Sequence, residues 1–166
     1  MANYSKILKA DIANGLGFRT TIWFTGCDLN PHCKGCFNSS IWSPSTGKLF
    51  TSEVIEKILK TSKPYWCQGL SILGGEPTAE YNIEAVIRLA KAFKEAYTDK
   101  DIWVWSGRTL EEIECLEHGK ELLSTIDYLI DGRFEEDKKD MSLKFRGSSN
   151  QRIFERMPLG FFIQID

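Results

Sequence analysis

Gly26-Cys27-Asp28-Leu29-Asn30-Pro31-His32-Cys33-Lys34-Gly35-Cys36-Phe37-Asn38 places three of the chain's five cysteines within ten residues. Thiols packed this densely, on a backbone kept irregular by Gly26, Pro31 and Gly35, describe a loop that wraps a metal centre and exclude a helix or strand there. Directly before the loop, Ile22-Trp23-Phe24-Thr25 is short, apolar and partly β-branched, so it reads as a strand that delivers the loop at its carboxyl end. In α/β folds that end of a strand is where sites are built.

The strand pattern extends outward from there. Residues from Lys6 to Ile12 and from Arg19 to Thr25 read as two strands, joined by a turn at Asn14-Gly15-Leu16-Gly17. The Gly15-Leu16-Gly17 piece lacks a third glycine and opens a strand, which excludes a dinucleotide-binding fingerprint. Thr51 is placed to cap a helix whose Val54, Ile55, Ile58 and Leu59 share one face. Leu70 to Leu73 is a short buried strand running into Gly74-Gly75-Glu76-Pro77. A second amphipathic helix carries Ile83, Val86, Ile87, Ala90 and Phe93 at helical spacing. Ile102-Trp103-Val104-Trp105 is a strand stopped by Ser106-Gly107, and Thr109-Leu110-Glu111-Glu112 predicts a capping box for a third helix closed near Gly119. Ile126 to Ile130 supplies another strand, after which the chain turns polar until Phe161-Phe162-Ile163. Alternating strands and helices predict an α/β fold with a mainly parallel sheet and outer helices. A closed eight-stranded barrel needs about 250 residues, so the expectation is a partial, open βα barrel in a single domain over residues 1–166.

Composition narrows the partners and the compartment. Lys+Arg number 21 against 23 Asp+Glu, a net charge of -2 that does not favour nucleic acid or an anionic membrane. No apolar run suits a signal peptide or a membrane span, and an odd number of cysteines argues against a disulfide framework, so a reducing cytoplasmic setting is expected. Cys67 and Cys115 stand apart from the cluster and are expected to be ordinary thiols.

Cysteine sulfur binds both tetrahedral zinc and iron-sulfur clusters. Zinc would have to recruit His32, whose immediate neighbour Cys33 would ligate the same ion. A 4Fe-4S cube held by Cys27, Cys33 and Cys36 accounts for the ligand count and leaves one iron open to another molecule. Both remain open on these residues alone.

Three cysteines on one short loop after an apolar run resemble the cluster loop of radical S-adenosylmethionine enzymes, although the spacing here is C-x5-C-x2-C and the usual family spacing is C-x3-C-x2-C. Gly74-Gly75-Glu76 at a strand end is similar to that family's Gly-Gly-Glu/Asp segment. Further pieces resemble the activating proteins of anaerobic (class III) ribonucleotide reductase, in their order: Asn14-Gly15-Leu16-Gly17-Phe18-Arg19, Cys36-Phe37-Asn38 with Trp42, Lys100 to Gly107, Asp131-Gly132-Arg133-Phe134 and Arg146-Gly147-Ser148-Ser149-Asn150-Gln151-Arg152.

The resemblance implies a 4Fe-4S cluster on Cys27, Cys33 and Cys36, and S-adenosyl-L-methionine contacted by Gly35, Cys36, Phe37, Gly74, Gly75 and Glu76. It also implies a glycyl-radical activase, in which reductive cleavage of the cofactor yields a 5'-deoxyadenosyl radical that abstracts hydrogen from a glycine of the reductase large subunit. The electron would come from a flavodoxin or ferredoxin-type donor, and no protein side chain is implied as a catalytic acid or base. Alternatives are an activase of another glycyl radical enzyme, a small-molecule radical enzyme, or a non-catalytic zinc-binding adaptor. The Arg146, Asn150 and Arg152 segment reads either as a solvated loop or as a face toward cofactor or partner. His118 needs only a helix-end role, and His32 is a loop residue.

Overall fold

In the computed structural model, which describes residues 1–166, one open sheet of eight strands runs in the order β3-β1-β2-β4-β5-β6-β7-β8. The strands are β1 (Asn3–Asp11), β2 (Phe18–Phe24), β3 (Lys48–Leu49), β4 (Cys67–Gly74), β5 (Asp101–Trp105), β6 (Tyr128–Asp131), β7 (Arg152–Arg156) and β8 (Phe162–Gln164). Helices α1 (Ser52–Ser62), α2 (Glu80–Ala96), α3 (Leu110–Glu114) and α4 (Gly119–Thr125) connect the central strands.

The sheet is mixed. β2, β4, β5 and β6 pair in parallel, whereas β1 and β3 on one side and β7 and β8 on the other pair antiparallel. The parallel sheet read from the βα rhythm is therefore its four-stranded centre, and the flanks depart from it for a steric reason. Six residues join β1 to β2 and five join β7 to β8. Such links close hairpins, while a parallel crossover takes a dozen residues or more.

Side-chain alternation sorts the two faces of the sheet. Ile22, Phe24, Leu70, Ile72, Ile102, Val104, Leu129 and Phe154 point to one side and form a single core with Ile55 and Ile58 of α1, Val86, Leu89 and Phe93 of α2, Ile113 of α3 and Leu122 of α4. All four helices thus cover that face. The other face carries Trp103, Ile130 and Ile153 with Trp105, Tyr128 and Phe145. Its floor is closed by Arg19, fully buried, which pairs with Asp101, donates to Ser71 Oγ at 2.7 Å and lies over the Trp103 ring.

Three local expectations change. The third helix is two: the Thr109–Glu112 capping box forms as read, but it starts the five-residue α3. Gly119 opens α4 instead of closing α3, and it packs so closely on α3 that a Cβ there would stand 1.6 Å from the Ile113 carbonyl oxygen. His118 consequently sits at a helix start, beside Glu84 (3.3 Å) and Glu121 (3.6 Å), and those carboxylates replace the helix dipole as its partners. Thr51 does precede α1, although its hydroxyl makes no capping hydrogen bond.

Candidate metal and cofactor site

The cysteine loop leaves β2 at Phe24, and the Gly74-Gly75 turn leaves the adjacent parallel strand β4, so the two meet at one carboxyl edge. Backbone bonds lock them together. Gly75 N donates to the Phe24 carbonyl (3.0 Å) and Glu76 N to the Gly26 carbonyl (2.7 Å), while Asn38 Nδ2 donates to the Gly74 carbonyl (3.0 Å). The approach is close enough to demand glycine: a Cβ on Gly75 would lie 2.2 Å from Gly26 O, and one on Gly74 2.0 Å from Phe24 O. On the other side, Gly26 N and Cys27 N donate to the Ile41 and Trp42 carbonyls.

Cys27, Cys33 and Cys36 are all half-buried, free of disulfides, and line one cavity of about 440 Å³. Asn38 N donates to Cys36 Sγ at 3.4 Å, and the backbone at Leu29 and at Phe134 works to lower the pKa of the Cys27 and Cys33 thiols. Such bonds favour the thiolate and tune a bound cluster. Burial of the thiols works the other way. It pushes the Cys27 thiol up to about 11, with help from the nearby Glu76 and Asp28 carboxylates, and it also raises Cys33. Uptake of a metal centre must therefore expel protons from this loop.

The donor set fits a cube better than a single ion. No three His, Cys, Asp or Glu side chains converge at single-ion distance. A cube takes one thiol per iron around a volume, and Cys27, Cys33 and Cys36 all line the same cavity. His32, which a zinc site would have to recruit, stacks on Trp42 at 4.1 Å and contacts the Cys27 carbonyl through Nε2 (3.1 Å). The two additional residues between Cys27 and Cys33 form a turn pinned by Arg133, whose Nη1 donates to Pro31 O at 2.7 Å.

The six residues expected at the cofactor divide. Cys36, Phe37, Gly74 and Gly75 line the cavity together with Trp23, Leu73, Trp105 and Phe134. Gly35 is not among the lining residues and faces Glu136, and the Glu76 side chain is turned away. Fully buried, Glu76 accepts from Thr78 N (2.9 Å), Thr78 Oγ1 (2.7 Å), Ser106 Oγ (2.8 Å) and Gly107 N (2.8 Å), so its carboxylate braces the ends of β4 and β5. Cys67 is buried and Cys115 exposed, both remote from the cavity wall.

The polar segment before β7 also divides. Arg146 lines the cavity, whereas Asn150 holds the Arg133 carbonyl (2.8 Å) and Arg152 pairs with the buried Asp131 and with Glu111. Two residues of this neighbourhood gave no individual sign in the sequence. Asn38 ties the loop to Gly74, and Arg108 links Asp28 (2.8 Å) to the Glu76 brace at 4.0 Å. Only their place beside Cys36-Phe37 and after Ser106-Gly107 could have pointed to them.

Residues 13–154 match the family model described as a 4Fe-4S single cluster domain. The chain is 40% identical over 153 residues to the anaerobic ribonucleoside-triphosphate reductase-activating protein of Vibrio cholerae, spanning 91% of this chain and 96% of that protein. It is 36% identical to the proteins of the same name from enterobacteria phage T4, over 92% of this chain and 93% of that one, and from Escherichia coli K12, over 91% and 97%. No solved structure matches significantly.

Proposed function

The chain belongs to the family of anaerobic ribonucleoside-triphosphate reductase-activating proteins, and from that membership we propose how its own residues perform the activation. It is a glycyl-radical activase, a redox enzyme that carries a 4Fe-4S cluster and acts on the anaerobic reductase. When bound, the cluster would supply the electron that splits S-adenosyl-L-methionine into methionine and a 5'-deoxyadenosyl radical, and that radical would take hydrogen from a glycine Cα of the reductase large subunit.

The protein's part is ligation, orientation and exclusion of water. Cys27, Cys33 and Cys36 would hold three of the irons, and the N–H of Asn38, which donates to Cys36 Sγ, would stabilise that thiolate. Gly74 and Gly75 bring bare backbone to the cavity wall, where carbonyl acceptors suit an ammonium group. Gly35 and Glu76 belong to the contact set as supports: the first lets the loop turn at φ +71°, and the second fixes the wall behind Gly75. Phe37, Trp105 and Phe134 offer apolar surface for a nucleoside. No side chain is assigned as acid or base.

The same reading takes the open sheet as a partial βα barrel, residues 1–166 as one domain, and a flavodoxin or ferredoxin-type protein as the electron donor. It places the chain in the cytoplasm, in keeping with the lack of any helix long and apolar enough to cross a membrane. The observation that carries it is three half-buried thiols lining one cavity that is walled by the Gly74-Gly75 turn. The test mixes anaerobically reconstituted protein, reductant, S-adenosylmethionine and the reductase large subunit, and seeks a glycine-centred radical by electron paramagnetic resonance. A doublet that requires all four components is expected, and a silent spectrum with active components would refute the assignment.

A further inference from the structure

Apart from its thiols, the cavity is almost without charge. Among its lining residues Arg146 is the one cation and Asp140 the one carboxylate. The Arg146 side chain is only 10% exposed, yet its Nε has no hydrogen-bond partner. Nη1 donates to the Gln151 carbonyl at 2.7 Å, and Nη2 pairs with the half-exposed Asp166 at 2.6 Å. A guanidinium grips a carboxylate best with two parallel N–H groups, and Nε with Nη2 form such an edge. Here that edge is half used, by a counterion reached from solvent. A buried donor left idle is costly unless another state of the protein satisfies it.

The position of Arg146 is also enforced. Phe145 before it has φ +63°, a left-handed conformation rare for a bulky residue, held by Trp105 Nε1 donating to its carbonyl (2.6 Å) and by its ring against Trp103. Gly147 after it packs on Phe37, the residue following the third cysteine: a Cβ there would stand 3.2 Å from the Phe37 ring. Arg146 is thus fixed at the wall next to the cluster loop.

We infer that the Nε–Nη2 edge of Arg146 receives the carboxylate of the cofactor's amino-acid end, and that Asp166 is a surrogate which this carboxylate displaces. The inference rests on the cofactor reading above. Arg146 is a binding and specificity residue for a carboxylate-bearing sulfonium, and Asp166 weakens that binding by competing for the same donor.

The test is equilibrium dialysis of S-adenosylmethionine and of decarboxylated S-adenosylmethionine against anaerobically reconstituted, unreduced protein, so that no cleavage occurs. Arg146→Gln is expected to weaken S-adenosylmethionine about ten- to a hundredfold, the range for a hydrogen bond to a charged group, and to leave the decarboxylated compound within about twofold. Asp166→Asn, at a half-exposed residue that does not threaten the fold, is expected to tighten S-adenosylmethionine about 1.5- to 5-fold, the range for a surface ion pair, without affecting the decarboxylated compound. Equal affinity in wild type and Arg146→Gln, or equal weakening of both ligands, overturns the role of Arg146. An unchanged Asp166→Asn affinity overturns the displacement. Wild-type protein that carries its cluster yet binds neither ligand instead refutes the cofactor reading on which the inference stands.

Discussion

Substituting Gly75 by alanine isolates the contact on which the site is built. Gly75 lies outside the left-handed region, so alanine there meets no backbone strain and its whole cost is steric. The new methyl would stand 2.2 Å from Gly26 O and 3.2 Å from Cys27 N, and the turn and the loop must part by about 1.2 Å to reach the 3.4 Å of ordinary contact. That movement strains the Glu76 N to Gly26 O hydrogen bond of 2.7 Å and shifts Cys27 relative to Cys33 and Cys36. Overpacking of this size costs about 1–3 kcal/mol, which lowers the melting temperature of a chain this long by roughly 2–12 °C. The assay pairs thermal unfolding of the iron-free protein with iron and sulfide content after anaerobic reconstitution. Gly75→Ala should lose both stability and cluster occupancy. A variant with unchanged melting temperature and full cluster content would show that the close approach of β4 to the cysteine loop does not matter.

Cys33→Ala should abolish cluster uptake and S-adenosylmethionine cleavage, whereas Cys67→Ala, deep in the sheet and away from the cavity, should lose some stability and keep both; equal loss of cleavage in the two variants would mean that the ligands are wrongly chosen. Glu76→Gln puts an amide where four donors converge on a buried carboxylate, and should cost about 1–3 kcal/mol in denaturant unfolding; wild-type stability would contradict the brace. Glu111 is held down to about 2 by its hydrogen bonds from Arg152, below the ordinary carboxylate value. The contribution of this pair is therefore complete above about pH 4.5 and lost as pH falls toward 2. The stability gap between wild type and Glu111→Gln, small for so exposed a pair, should narrow on acidification, and a widening gap would contradict this sign.

The parts of this molecule that were legible in sequence are those fixed locally. Cysteine spacing, with Gly26, Pro31 and Gly35, declared an irregular loop that gathers three thiols at one cavity, and the Gly74-Gly75 pair declared a backbone that must approach another, here Gly26 O at the distance a Cβ would block. Thr109 and Glu112 spelled out their capping box because both bonds lie within four residues. The missed elements depend on distant partners. β7 reads as polar because Arg152 answers Asp131 and Glu111, and Glu155 answers the Tyr128 hydroxyl (2.9 Å), across the sheet. Glu76 could be recognised as part of a motif, but its side chain turns away from the cavity only because Ser106 and Gly107 arrive from β5. Arg146 likewise looks like one more surface charge until the fold places it in the cavity wall.

On the proposed reading, Cys27, Cys33 and Cys36 leave one iron of a 4Fe-4S cube for the cofactor. Mössbauer spectra of protein reconstituted with iron-57, with and without S-adenosylmethionine, show whether that iron exists. The expected result is a cube in which one iron site alone changes its parameters when the cofactor is added. A cluster whose irons all remain thiolate-like and indifferent to the cofactor, or a centre that proves to be zinc, would contradict it.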